Sequence, residues 1–127
     1  MNYYKLNEIL KQLKIEEFIW VIYIGIIGLS FYSNNLERNY YLYNDNISKD
    51  KYRKVMILIF SILIVVYLYF FKDSYNDLKN IKPYDSIEKK NLVELSFVAS
   101  FLITISGFIF LYIAYKDENM DVELAFN

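Results

Sequence analysis

Charge-free runs alternate with polar, charged connections along this chain. Residues 18–36, 55–71 and 95–115 contain no Asp, Glu, Lys or Arg. A helix needs about 17–25 mostly apolar residues to cross a hydrocarbon core about 30 Å thick. The run 95–115 meets that length, and 55–71 sits at its lower limit. The first run is strictly apolar only over 18–32, so it must span a thin core or use its polar flank. The run 55–71, "VMILIFSILIVVYLYFF", is apolar around its whole circumference, with Ser61 its one small polar residue. Helices of soluble bundles keep a polar face. Three such segments in 127 residues leave too little protein to bury them. The pattern therefore predicts an all-α integral membrane protein, a single membrane domain with three transmembrane helices and no separate soluble domain.

The polar segments refine this outline. In residues 1–17, Leu6, Ile9, Leu10 and Leu13 share one helical face, with Lys5, Glu8, Lys11, Gln12 and Lys14 on the others. That spacing predicts an amphipathic helix along the membrane surface, followed by the first span over 18–36. "NDN" at residues 44–46 reads as a turn, with Ser48 capping a helix over 49–80 that contains the second span, 55–71. Pro83 closes that helix. Asp85 and Glu88 resemble a capping box opening a helix over 86–115 that contains the third span, 95–115. Residues 116–127 form an acidic tail, expected to be a solvated terminus, with a docking segment ending in "LAF" as the alternative. The first run begins far from the N-terminus and lacks a small-residue cleavage site, so a cleaved signal peptide is not expected. Trp20, Tyr23, Tyr32, Tyr67, Tyr69, Tyr112 and Tyr115 fall near the ends of the spans, where amphipathic rings anchor at the headgroup level.

Composition narrows the chemistry. The chain has neither Cys nor His. Disulfides, thiolate nucleophiles, cysteine or imidazole metal sites and histidine general bases are thereby excluded. A formal charge of −1 gives no basic footprint for nucleic acid. Asp117, Asn119 and Asp121 open like a calcium loop, but Val122 stands where that loop needs Gly. No catalytic residue, cofactor site or metal site is assigned, and no acid–base pair converges by spacing, so an enzyme is not expected. No ionisable residue lies deep in a span, which argues against ion-coupled transport.

One pattern remains. At 100° per residue, Ser96, Ser100, Thr104, Gly107 and Ala114 fall within about 80° of one another. Small residues let membrane helices approach closely, whereas a polar face in an oligomer can line a water path. The packing alternative is preferred, with Gly25 and Gly28 of the first span as its expected counterpart against the third. Three functional classes follow. The first is a non-enzymatic accessory or regulatory subunit or homo-oligomer acting through helix packing. The second is an oligomeric channel or permeabilising pore lined by the small polar face. The third is an immunity-type membrane protein. The expected partners are the lipid bilayer and either this chain itself or another membrane protein. In size and hairpin layout the chain resembles phage holins, but its tail is acidic where a holin tail is expected to be basic. That resemblance is architectural and gives no residue a role. Eight Lys and Arg flank the spans on the N-terminal side against six on the other, so the positive-inside rule points to a cell-membrane protein with its N-terminus cytoplasmic and its C-terminus outside.

Overall fold

A computed structural model describes residues 2–124. It consists of α1 (Tyr3–Tyr43), α2 (Asn46–Lys79) and α3 (Ile87–Lys116), with no strand among the described residues. All three helices are long and apolar enough to cross a membrane. The fold is thus all-helical and of the three-span membrane class. Residues 125–127 of the acidic tail lie outside the described residues.

α1 opens on Asn2, whose side-chain oxygen accepts the Tyr4 N–H at 3.0 Å. Neither Gly nor Pro occurs before Gly25, so nothing interrupts the i→i−4 ladder. The amphipathic segment and the first span therefore form one continuous helix about 60 Å long. Its less exposed positions, with Ile22 and Leu29 beside them, include Ile9, Gln12, Glu16, Ile19, Tyr23, Ile26, Ser30, Ser33 and Leu36. They recur at three- and four-residue steps, the period of a seam against a neighbouring helix. Leu6, Leu10 and Leu13 are turned away from that seam and are exposed.

The α1–α2 connection is only Asn44 and Asp45. Asn44 takes the left-handed conformation at φ 52°, which Asn tolerates better than most residues. Asp45, not Ser48, is the N-cap of α2. Its carboxylate accepts the Ile47 N–H at 3.0 Å and the Ser48 hydroxyl at 2.8 Å. A carboxylate at this position also faces the positive end of the helix dipole, which explains why α2 starts three residues earlier than the Ser48 cap predicts.

The expected Asp85–Glu88 box is also replaced. Ser86 caps α3 by accepting the Lys89 N–H at 3.1 Å. Asp85 instead accepts the Lys82 N–H at 2.8 Å and pairs with Lys89 Nζ at 3.3 Å, tying off the turn around Pro83.

Short connections make consecutive helices antiparallel neighbours. α2 packs against both α1 and α3, while among the described residues no Cα of α1 comes within 8 Å of one in α3. The helices thus lie side by side with α2 in the middle. This position accounts for α2 being the most uniformly apolar of the three. Met56, Ile59, Phe60 and Leu63 are fully buried and form the core with Ile26 and Leu36 of α1 and Ala114 of α3.

Candidate functional site, a small-residue packing face

The small residues of α3 follow the geometry of the α2–α3 pair. Thr104, Gly107 and Ala114 are the buried residues of α3. A Cβ added to Gly107 would meet Cδ2 and Cε2 of Tyr67 at 3.0 and 3.2 Å and Cγ1 of Ile64 at 3.3 Å. The Tyr67 ring occupies the space a side chain would take, so glycine is what permits this approach. The Thr104 hydroxyl donates to the Ser100 carbonyl of its own helix at 2.7 Å and lies 3.4 Å from the Tyr67 carbonyl. Back-bonding of this kind satisfies a hydroxyl in a hydrocarbon environment. The pair is closed by aromatic contacts. Phe60 stacks on Phe110 with centroids 5.3 Å apart, and Phe71 meets Phe97 at the same distance.

The other candidate positions are not part of this contact. Ser96 is exposed and Ser100 is half-buried. Ser100 borders a shallow cleft of about 290 Å³ with Tyr23, Tyr67, Phe70, Ala99 and Ile103. Gly25 and Gly28 face open space, with nothing within 4 Å of an added Cβ. The expected α1–α3 contact through these glycines is not formed: among the described residues no Cα of α1 comes within 8 Å of one in α3, and it is Tyr23 that borders the cleft beside Ala99 and Ile103. Of the expected interfacial rings, Trp20, Tyr32, Tyr112 and Tyr115 are exposed, whereas Tyr23, Tyr67 and Tyr69 are half-buried.

Two polar clusters bracket the apolar band. At one edge Gln12 Nε2 lies 3.0 Å from both carboxylate oxygens of Asp73, joining α1 to α2. Burial, with Asp77 and Glu16 nearby, holds the Asp73 carboxyl above its usual range. At the other edge Arg53 Nη2 donates to the Tyr115 carbonyl at 3.0 Å, capping the C-terminal end of α3, while its buried Nε has no partner. Just beyond, Asp117 accepts the N–H groups of Asp121 and Val122 at 2.9 and 2.8 Å. Burial pushes the Asp117 carboxyl up, but these backbone donors, that of Asn119 and the Arg53 charge bring it below the usual range. The tail then folds back and Leu124, 8% exposed, joins the cluster of Leu36, Tyr52 and Met56. Burial, and secondarily Glu123, raises the Glu37 carboxyl beneath it. The roles of Arg53, Asp117 and Leu124 were not assigned from sequence. The Asp117–Asp121 spacing is the one visible trace of this clasp, and it resembles the start of a calcium loop more than a turn. Among the described residues no group of three or more acidic side chains is placed to hold a metal ion.

These features define a small multi-pass membrane protein whose charged side chains lie outside its three apolar runs. No protein-family model matches the chain, and neither a curated protein nor a solved structure matches it.

Proposed function

We propose that this protein is non-enzymatic and acts through helix packing, as an accessory or regulatory subunit of another membrane protein or as a homo-oligomer. One observation carries this reading. The small-residue face of α3 is covered by α2, while Leu6, Leu10 and Leu13 form an exposed stripe on α1 beyond the charged edge at Glu16 and Glu17. These leucines are 42%, 49% and 47% exposed. Full burial of such a side chain is worth about 1.5–3 kcal/mol, so a stripe of three in water favours a covering partner. The preferred orientation keeps this arm in the cytoplasm, following the excess of Lys and Arg on its side.

The burial of Thr104, Gly107 and Ala114 weighs against the pore alternative. Only Ser96 and Ser100 of the stripe reach the surface of α3, about one turn of helix, which is too short to line a path across a core about 30 Å thick.

The test is the oligomeric mass of purified protein in detergent, corrected for bound detergent by light scattering. A monomer, a dimer or a complex with a second membrane protein is expected, and Leu10→Asp should dissociate any dimer or complex. A ring of four or more copies that conducts ions in liposomes would overturn the reading.

A further inference from the structure

α1 carries a second stripe with the same period as the series it covers against α2. Tyr3, Leu6, Leu10 and Leu13 lead through Glu17 to Trp20, Ile24, Ile27 and Phe31, in strict alternation of three- and four-residue steps. From Leu10 onward each position follows a member of the covered series by one residue, so the stripe is turned about 100° away from that seam. The apolar members are all exposed. Such a pattern, sustained over about four heptads, is that of a helix wound on a second helix. Lipid cannot cover the first half of it. α1 has no break between its arm and its span, so the arm leaves the apolar band along the helix axis and does not fold down onto the membrane surface. Leu6 stands about 18 Å beyond Phe18 along that axis.

Building on the reading that protein covers Leu6, Leu10 and Leu13, we infer that this protein is a second copy of the chain, and that the two α1 helices form a parallel coiled coil that begins in water and continues into the bilayer. The occupant must be a helix that crosses the membrane and emerges on the same side, with an apolar seam at both levels. Every copy of this chain carries such a helix. Two copies in one membrane share their orientation, so their α1 helices run parallel about a two-fold axis along the membrane normal, and each seam residue meets its own counterpart. The flanks fit this pairing. With Leu10 at an a position and Leu13 at d, the g and e positions place Ile9 against Lys14, Glu16 against Val21 and Tyr23 against Gly28 across the contact. None of these pairs brings like charges together, and Lys5, Glu8 and Lys11 fall on the outer faces. Gly28 lies between Ile24 and Phe31 on the helix surface, with nothing within 4 Å of an added Cβ, so the flank is open to close approach of a second helix. Glu17 is the one ionisable seam residue. Two Glu17 carboxylates meet at the edge of the apolar band, where they weaken the pair and fix its register.

The chain has no cysteine, so single substitutions in the full chain, reconstituted in liposomes, report the contact. On oxidation with copper–phenanthroline, Leu10→Cys, Leu13→Cys and Ile24→Cys should each give a covalent dimer at least roughly tenfold faster than Ile15→Cys, because a disulfide closes only between side chains that face one another. Ile15 is exposed too, but lies about 140° from Leu10 around the helix. Adding Glu17→Leu to Leu10→Cys should lower severalfold the protein-to-lipid ratio at which half the chains crosslink. Equal rates at Ile15→Cys, or crosslinking at Leu10→Cys without Ile24→Cys, would overturn the coiled coil. So would a Glu17→Leu that leaves that ratio unchanged or raises it, the result expected of a cationic partner facing Glu17. A monomeric mass with no crosslink at any seam position would also overturn it, yet would leave the accessory-subunit reading standing. That reading falls instead to a conducting ring of four or more copies, so the two failures are distinct.

Discussion

A Cβ atom on Gly107 would stand 3.0 Å from Cδ2 of Tyr67 on the facing helix. The ring fills the space left by the missing side chain, so this glycine sets how closely α2 and α3 approach. Gly107→Leu should destabilise the protein by about 1–3 kcal/mol through overpacking. Gly25→Leu, facing open space, should change stability by less than about 0.5 kcal/mol, as should Ser100→Ala. Unfolding in detergent with increasing SDS, followed by helical ellipticity, separates these cases.

Arg53 closes the far end of the same helix pair. Its guanidinium is the donor to the Tyr115 carbonyl, one of the orphan acceptors at the end of α3. Arg53→Met should cost about 1–2 kcal/mol and loosen the segment that follows. Trypsin cleavage after Lys116 should then accelerate severalfold, a change visible by mass spectrometry before global unfolding begins.

Docking of the tail should depend on pH in two opposed ways. The Asp117 carboxyl is lowered by its backbone donors and Arg53 against the effect of burial. Its contribution is present above the unfolded carboxylate range and is lost as pH falls through the lowered value. The Glu37 carboxyl is raised by burial and by Glu123. Its protonated form favours docking, so that contribution is lost as pH rises through the raised value. Hydrogen exchange at Leu124 should therefore be slowest in mildly acidic solution. Glu37→Gln should extend the protection to neutral pH, and Asp117→Asn should weaken it there.

Much of the architecture was legible in the sequence, because a bilayer imposes length and polarity on each span. The uniform apolarity of 55–71 also fits a helix with neighbours on both sides. The small-residue face of α3 was visible as a stripe, but a stripe does not encode which helix it meets. Gly25 and Gly28 look like its natural counterpart, yet connections as short as Asn44–Asp45 make α2 the neighbour of both other helices. Caps were displaced for local reasons. Asp45 and Ser86 lie nearer the helix starts than Ser48 and Asp85 act, and several plausible cap residues crowd each turn. The tail was unreadable because its fold rests on one carboxylate accepting two backbone donors and on a single leucine. Neither leaves a periodic signal.

The central claim is that the Thr104–Gly107 face packs against α2 and does not meet water. The chain lacks cysteine, so a single Thr104→Cys substitution gives a clean probe in liposomes. Its thiol should resist a membrane-impermeant methanethiosulfonate from either side until SDS unfolds the protein, whereas Asn119→Cys in the exposed tail should react at once. Modification of Thr104→Cys in the folded protein at a rate near that of Asn119→Cys would place water along this face and contradict the account.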